Sequence, residues 1–348
     1  MKLFHLGGSV SAAAIAFTAA IAAPAMAVSV KDTYNNRTVT ILVGYGAGGT
    51  YGQTSLLLSR HLNKKIPGNP TLIVQHMPGA GGLKMTNYAY NVMPKNGLFV
   101  LMPPEMTAVS QLLRPKKVKY ATNKFTWLGT VFGANQVFLV RRDTGIRSIA
   151  DVTRKELIVA STGTGSPTFL VPKMMNGILG TRFKIVTGYK GSAKTILSME
   201  QGETFGMTSS WISWTTQKAD WIDRSPNSFA VILSQVGFTK EKELQDVPLL
   251  SELARNPDDK AAAAMLSTAS VIGRGLAFPP GVPRSLVEPI RSAFWATVND
   301  PVFKAYAGKR KIPVTPMKGA ELQKIIADTM NSMSQSAIAK ARKHIFAK

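Results

Sequence analysis

A glycine-rich turn near the start of the chain has the spacing of a dinucleotide-binding loop. Residues 44–49 read GYGAGG, which matches GxGxxG, and they follow an apolar run rich in β-branched residues. Such glycines let the backbone approach a phosphate at the amino end of a helix. A dinucleotide site also needs an acidic residue after the second strand, to bind the ribose hydroxyl. No Asp or Glu occurs between Asp32 and Glu105, so NAD and NADP are disfavoured and no cofactor is expected.

Three further turns rich in Gly, Ser and Thr follow predicted strands, at residues 78–82, 163–166 and 188–192. Glycines expose backbone N–H groups, and the amino end of a helix carries partial positive charge. In open parallel sheets the carboxyl ends of the strands face the ligand crevice. Two such turns in each of two domains therefore predict a clamp for a small anion. For any single turn, the alternative is a simple connection between elements.

The residue types give little support for catalysis or for a metal site. Cysteine is absent, which removes thiol catalysis and cysteine-based metal sites. His61, His76 and His344 show no metal-ligand spacing, so no metal is expected. The nearest approach to a GxSxG nucleophile elbow is GTGSP at residues 163–167, with no histidine placed to activate its serine. We therefore predict no catalytic residues and no enzymatic activity, with an exported hydrolase as the alternative.

Strands and helices alternate along the chain, which predicts α/β sheets with parallel strands and crossover helices. The length of 348 residues exceeds what one hydrophobic core usually supports, and the pattern restarts after residue 136. We predict a discontinuous first domain (28–136 plus 270–348) and a second domain (137–269). The predicted strands are 38–46, 71–77, 98–102, 136–142, 156–162, 183–189, 204–210, 229–235 and a return strand within 271–283.

The first 27 residues have the pattern of a secretory signal. Lys2 precedes an alanine-rich apolar stretch, which ends in Ala25-Met26-Ala27, an A-x-A cleavage site. We expect cleavage after Ala27 and a periplasmic protein; the alternative is an uncleaved anchor. The charge is strongly basic, with 42 Lys and Arg against 19 Asp and Glu and a formal net charge of +23. The basic residues form no stripe with interleaved aromatics, so no nucleic-acid partner is expected.

Seven segments of the mature chain resemble the periplasmic substrate-binding proteins of tripartite tricarboxylate transporters, the TctC or Bug family. They occur in the family's order and cover nearly the whole mature chain. The segments are VGYGAGGTYG, IPGNPTLIVQHMPGAGG, FTWLG, STGTGSP, FKIVTGYKGSAKTILSMEQGE, DVPLLSELA and FPPGVPRSLVEPIRSAFWATVNDPVF.

The resemblance implies an α/β fold of two Rossmann-like domains in a Venus-flytrap arrangement, with a ligand cleft between them. It implies a monomer that captures a small carboxylate and delivers it to a membrane permease; a sensing subunit of a signalling system is an alternative with the same pocket. Family members hold the carboxylate with backbone amides, hydroxyls and bridging waters at the strand ends. The ligand-binding residues implied for this chain are Tyr45, Gly48, Gly49, Thr50, Tyr51, Ala80, Gly81, Glu105, Thr162, Gly165, Ser166, Thr168, Tyr189, Gly191, Ser192, Thr208 and Ser209.

Two positions in the predicted crevice, Gly52 and Glu105, bear on the chemistry of the ligand. The family commonly carries an Asp at the start of the first helix, in the pattern GG-x-x-D, where this chain has Gly52. The loss of that acid argues against amino-acid ligands. Glu105 follows the third strand in the same crevice, where it is a candidate to contact a donor group of the ligand. A surface role is the alternative for Glu105.

Overall fold

A computed structural model describes Met1 and residues 29–346 of the chain. Most of the predicted signal peptide, with its cleavage site, lies outside the described residues. Within the described part of the chain, no helix has both the length and the apolar character that a membrane crossing requires.

Helices and strands alternate over the described residues. The α-helices are α1 (Val30–Tyr34), α2 (Thr50–Leu62), α3 (Leu83–Asn91), α4 (Thr107–Leu113), α5 (Ile149–Arg154), α6 (Pro167–Leu179), α7 (Ser192–Glu200), α8 (Trp211–Gln217), α9 (Leu250–Leu253), α10 (Pro257–Met265), α11 (Ala269–Ile272), α12 (Arg284–Asn299), α13 (Pro301–Gly308), α14 (Gly319–Ser332) and α15 (Gln335–Phe346). The strands are β1 (Thr38–Val43), β2 (Thr71–His76), β3 (Phe99–Met102), β4 (Thr126–Thr130), β5 (Gln136–Arg141), β6 (Leu157–Ser161), β7 (Phe183–Thr187), β8 (Gly206–Ser210), β9 (Ala230–Val236), β10 (Gly275–Phe278) and β11 (Met317–Lys318).

The strands form two sheets with helices packed on them. The first sheet has the order β11-β4-β10-β3-β1-β2, and the second has the order β7-β6-β8-β5-β9. Strand β1 shows why these segments form a buried sheet, because five of its six residues are buried and most are β-branched or leucine. Its side chains pack with Leu58 and Leu62 of α2 and with Phe294 of α12 in one hydrophobic core.

Both sheets are mixed, so the parallel strands predicted from the alternation make up only part of each sheet. In the first sheet β10 runs antiparallel to β3 and β4, and in the second sheet β5 runs antiparallel to β8 and β9. The remaining central pairs, β1 with β2 and β3 and β6 with β7 and β8, are parallel as predicted. The reason is connectivity. The chain enters the second sheet through β5 and returns to the first sheet through β10. Both strands begin at the cleft and run away from it, whereas the parallel strands end at the cleft.

Several predicted strands extend too far at the glycine turns. Strand β1 ends at Val43 and β7 ends at Thr187, whereas the predictions ran to residues 46 and 189. A Cβ on Gly44 would lie 3.0 Å from the Cα of Gly82, so the backbone there turns close against a neighbouring loop instead of continuing the ladder. The return strand predicted within 271–283 is the short β10.

The C-terminal helices pack on different sheets. Helix α14 packs against β4, whereas α15 packs against α6 and α10 beside the second sheet. His344 of α15 fixes this contact, because its Nε2 lies 2.6 Å from Oδ1 of Asp259 on α10. The domain boundaries at residues 136/137 and 269/270 stay a prediction, and the packing of α15 does not follow the break at residue 270.

Candidate functional site

A cavity with about 40 Å³ of space for the centres of water-sized molecules lies between the two sheets, where the strand ends of both meet. Its walls are mostly hydroxyl-bearing and aromatic side chains, with one carboxylate and one guanidinium. The lining residues are Tyr45, Gly49, Thr50, Tyr51, Glu105, Gln136, Thr162, Ser166, Pro167, Thr168, Ser192, Thr208, Ser209, Ser213 and Arg274.

The four glycine turns meet in two pairs across this cavity. In the first pair, the N–H of Gly46 donates to the carbonyl of Lys190 at 2.8 Å. In the second, the N–H of Gly81 donates to the carbonyl of Thr162 at 3.2 Å, and the N–H of Gly165 donates to the carbonyl of Ala80 at 3.2 Å. Each turn of the first sheet therefore touches one turn of the second, and the cleft is closed.

Close backbone approach in the second pair requires glycine. Gly81 has φ +68°, and a Cβ there would lie 2.5 Å from the backbone nitrogen of Ser166. Gly163 has φ +131°, and a Cβ there would lie 2.5 Å from the backbone nitrogen of Gly81. A side chain at either position would strain the backbone and separate the two turns.

Three helices of at least nine residues begin at the cavity wall. Helix α2 begins at Thr50, α6 at Pro167 and α7 at Ser192. The first N–H groups of a helix have no partner within it, and they carry the positive end of the helix dipole. The wall beside α6 is also rich in hydroxyls, and Thr168 Oγ1 accepts a hydrogen bond from the N–H of Thr162 at 2.9 Å.

A buried ion pair forms another wall of the cavity. Arg274 Nη1 contacts Glu105 Oε2, and the two side chains are only 3% and 7% exposed. Nη1 also lies 3.3 Å from the carbonyl of Gly273, while Nη2 donates to Thr50 Oγ1 at 2.9 Å and to Ser210 Oγ at 3.1 Å. Because Thr50 and Gly273 belong with the first sheet and Ser210 with the second, the guanidinium bridges the cleft.

Two tyrosines pack against this ion pair. The ring of Tyr51 lies under Arg274, with 3.9 Å between the guanidinium carbon and the ring centroid, and it also contacts the ring of Tyr45. The Tyr51 hydroxyl donates to Glu105 Oε2 at 3.2 Å and accepts from the Glu105 N–H at 2.8 Å. Burial, with the charge of Glu105 added, raises the pKa of both tyrosines well above the usual range, so both stay protonated hydrogen-bond donors.

Arg274 stays charged in spite of its burial. Loss of hydration is the largest single effect on its guanidinium and lowers the pKa, but the charge and hydrogen bond of Glu105 together with the nearby tyrosines outweigh it, so the pKa lies above its ordinary value. The pair therefore adds one positive and one negative charge to the cavity wall, and the two cancel.

Sequence comparison identifies the family. The family model described as the tripartite tricarboxylate transporter family receptor, TctC, matches residues 58–343. The chain belongs to this family. The resemblance inferred from the glycine turns is therefore confirmed, over most of the chain.

Relatives of known structure share the fold of this TctC-family protein. The periplasmic binding protein BugD superposes with a TM-score of 0.69 at 18% identity, covering 90% of this chain and 99% of BugD. MatC from Rhodopseudomonas palustris, solved with bound malate, gives a TM-score of 0.68 at 17% identity, covering 86% of this chain and 99% of MatC. An R. palustris protein solved with adipate gives a TM-score of 0.66 at 16% identity, covering 88% of this chain and 97% of that protein.

A relative by sequence comes from Agrobacterium vitis. It is described as a UPF0065 protein in the TAR-I ttuE-ttuC' intergenic region, and it is 23% identical over 293 residues, covering 82% of this chain and 78% of the relative. Together these comparisons confirm the predicted two-domain α/β fold of periplasmic binding proteins. The TctC-family protein therefore belongs to the receptors of the tripartite tricarboxylate transporter family and has the fold of a periplasmic binding protein.

The structure places the implied ligand-binding residues in two groups. Eleven of them line the cavity; these are Tyr45, Gly49, Thr50, Tyr51, Glu105, Thr162, Ser166, Thr168, Ser192, Thr208 and Ser209. Six others do not line it; these are Gly48, Ala80, Gly81, Gly165, Tyr189 and Gly191. Ala80, Gly81 and Gly165 lie in the contact between facing turns, and Gly191 lies beside Gly46. The Tyr189 hydroxyl points instead to Glu203 Oε2, at 3.5 Å.

The placement of Glu105 decides a question that the sequence left open. The suggested surface role of Glu105 was wrong, because Glu105 is buried in the cavity wall and paired with Arg274. The sequence-based list also missed Gln136, Pro167, Ser213 and Arg274, all of which line the cavity. The only signal for Arg274 was a basic residue directly before an apolar strand.

The absence of a side chain at Gly52 has a structural reason. A Cβ at Gly52 would lie 2.1 Å from the carbonyl oxygen of Ala47, because the turn before α2 folds back onto the first helical turn. The family's Asp therefore does not fit with this conformation of residues 46–49. The shape of the turn in this protein depends on the missing side chain.

We expect Gly52→Asp to destabilise the protein by about 1–3 kcal/mol, which is the usual effect of forcing atoms into a close-packed contact. An acid in the first helical turn would otherwise stabilise the helix, so the sign of the effect is diagnostic. Urea unfolding of Gly52→Asp and of the control Gln53→Asp, one residue further along the same helix, measures it. Equal stability of Gly52→Asp and the wild type would contradict the clash with Ala47.

Proposed function

We propose that this TctC-family protein captures a small organic carboxylate in the cleft between its sheets and delivers it to the membrane permease of a tripartite tricarboxylate transporter. The observation that carries the proposal is the convergence of three helix amino ends, those of α2, α6 and α7, on one cavity.

The charges in the cavity favour recognition by dipoles. Because Arg274 and Glu105 neutralise each other, the negative charge of a carboxylate has to be met by backbone N–H groups and hydroxyls. Helix amino ends supply such N–H groups with partial positive charge. Thr168 and Ser192 stand beside them with hydroxyls that can donate to carboxylate oxygens.

The relatives support the same class of ligand. MatC was solved with malate and another R. palustris protein with adipate, and both ligands are organic acids. The proposal includes export with cleavage after Ala27, action as a monomer in the periplasm, and no catalytic step.

A panel of mono-, di- and tricarboxylates tests the proposal by thermal unfolding of protein that has been unfolded, washed and refolded to remove bound ligand. A ligand at 100 times its Kd stabilises the folded state by about 2.7 kcal/mol, and we expect at least one acid to raise Tm accordingly. The corresponding neutral amides serve as matched controls, since they keep the shape and lack the charge. No shift with any acid would contradict carboxylate capture.

The acid that binds then allows the transport and non-catalytic parts to be tested. We expect it to be recovered chemically unchanged, by NMR, after long incubation with the protein. In the source cell, deletion of the gene is expected to abolish uptake of that acid, and restoring the gene is expected to restore uptake. Unimpaired uptake in the deletion strain would contradict a transport role.

A further inference from the structure

The guanidinium of Arg274 has one N–H left for a ligand. Arginine carries five N–H donors. The four on the Nη atoms point to Glu105, Gly273, Thr50 and Ser210. The fifth, on Nε, is fully buried and has no hydrogen-bond partner among the described residues. Arg274 lines the cavity, so it can offer a ligand a single hydrogen bond but no bidentate clamp for a carboxylate.

Gln136 and Thr208 bring further unpartnered groups to the same wall. Both side chains are at most 1% exposed and line the cavity. Within the described residues, Nε2 and Oε1 of Gln136 and Oγ1 of Thr208 have no hydrogen-bond partner. Strands β5 and β8 pair Gln136 with Ser210 and Phe138 with Thr208, so Gln136 and Thr208 lie on one face of the sheet.

Buried groups of this kind need an occupant. A buried donor or acceptor without a partner has lost its hydrogen bonds to water and gained none in exchange, which is destabilising. The group that meets them must accept from Arg274 Nε–H and from the Gln136 amide, and must donate to the amide oxygen of Gln136. Either orientation of that amide leaves one donor and one acceptor, so the requirement does not depend on how it is turned.

We propose that the cavity wall between β5 and β8 binds a hydroxyl group of the ligand, so that the ligand is a hydroxymonocarboxylate. This inference rests on the proposed capture of a carboxylate. A hydroxyl donates one hydrogen bond and accepts up to two, so it can accept from Arg274 Nε–H and from Thr208 or the Gln136 amide nitrogen while it donates to the Gln136 amide oxygen.

A charged group fits the same wall poorly. A second carboxylate would accept from Arg274 but face the amide oxygen of Gln136, and with Glu105 present it would leave the buried wall with a net negative charge. An ammonium group would face the Nε–H of Arg274 donor to donor, beside a positive charge. A hydroxyl adds no charge to a wall that is already neutral.

The strand order separates the hydroxyl from the carboxylate. The amino ends of α6 and α7 follow β6 and β7, at one side of the sheet, and Gln136 begins β5 on the other side of β8. Strands β6 and β5 are two strand spacings apart, which is about 10 Å. A hydroxyl several carbons from the carboxyl group therefore fits better than one on the adjacent carbon.

A matched set of five-carbon acids tests the inference by isothermal titration calorimetry. Valerate, δ-hydroxyvalerate, glutarate and δ-aminovalerate share one carboxylate and one chain length, and they differ only at the last carbon. We expect δ-hydroxyvalerate to bind about tenfold more tightly than each of the other three, since a satisfied buried hydrogen bond contributes about that factor.

Variants of the wall assign the preference to its residues. In Gln136→Leu and in Thr208→Val, which removes the hydroxyl at almost constant shape, we expect the preference for δ-hydroxyvalerate over valerate to fall to about twofold or less. The readout is the ratio of the Kd of valerate to the Kd of δ-hydroxyvalerate, and circular dichroism and Tm of the ligand-free variants show that they are folded.

The outcomes separate this inference from the function on which it rests. Binding of several acids with no gain from the hydroxyl, or tightest binding of glutarate or δ-aminovalerate, overturns the hydroxyl site and leaves carboxylate capture standing. A preference for δ-hydroxyvalerate that survives both variants overturns the assignment to Gln136 and Thr208. Binding of no acid of any length overturns the proposed function together with this inference.

Discussion

Replacing Gly49 with leucine is expected to weaken ligand binding by about 10–100-fold while the ligand-free protein stays folded. A Cβ on Gly49 would lie 2.4 Å from Oγ of Ser192, which belongs to the facing turn of the second sheet. The φ of Gly49 is −91°, an ordinary value, so a larger residue strains no local backbone. The leucine side chain therefore acts on the contact between the facing turns and on the cavity that Gly49 and Ser192 both line.

The size of the effect follows from the cost of closure. Forcing a side chain into a close-packed contact costs about 1–3 kcal/mol. If only the closed form binds tightly, the apparent Kd rises by the factor by which that form is depopulated. Calorimetry with the acid found in the carboxylate panel measures the Kd. Small-angle X-ray scattering should show a ligand-induced decrease in the radius of gyration for the wild type and a smaller decrease for Gly49→Leu.

Gly308→Leu is the matched control for this prediction. Gly308 ends α13, and a Cβ there would have no heavy atom within 4 Å, so the same substitution has space. We expect wild-type affinity in this variant. Wild-type affinity in Gly49→Leu as well would show that closure of these turns does not contribute to binding.

Replacing Arg274 with methionine is expected to destabilise the protein by about 3–5 kcal/mol, because the substitution leaves Glu105 as an unpaired buried charge. Arg274 also bridges Thr50 and Ser210 across the cleft and covers the ring of Tyr51. The variant therefore loses packing and three charge-assisted contacts at once. Urea unfolding measures the difference in free energy.

The double variant Arg274→Met/Glu105→Gln separates the charge from the packing. Removing both charges is expected to recover most of the stability, to within about 1–2 kcal/mol of the wild type, because buried ion pairs contribute little net stability over neutral partners. The exposed pair Lys324 and Asp328 provides a control, with side chains 76% and 61% exposed. Lys324→Met should change stability by less than about 0.5 kcal/mol. A loss below 1 kcal/mol in Arg274→Met, or no recovery in the double variant, would contradict this view of the pair.

Local sequence predicted most of the strands and the places where the chain turns. The central strands are buried β-branched runs, and a glycine turn follows β1, β2, β6 and β7 in both the prediction and the structure. These features depend on neighbouring residues only, through side-chain period and backbone freedom. Eleven of the ligand-binding residues that the family resemblance implied line the cavity, at the edge where the parallel strands end.

The same rule explains why Gln136 and Arg274 were missed. The search for a site followed the carboxyl ends of strands, but Gln136 begins β5 and Arg274 directly precedes β10. These two strands run antiparallel to their neighbours, so their amino ends reach the cleft. Strand direction depends on how the chain passes between the sheets, and no pattern within a single segment encodes it.

The amino-acid sequence by itself determined the family, the α/β alternation and the four glycine turns, since each rests on residues close together in the chain. Only the tertiary structure decided that Glu105 is buried against Arg274, 169 positions away, and that Gly52 leaves space for the carbonyl of Ala47. Glu105 follows β3 and Arg274 precedes β10, so the first sheet brings these distant segments side by side and sets the charge balance of the cavity. The contact at Gly52 depends on the backbone conformation of the turn between β1 and α2, which no pattern of side chains encodes.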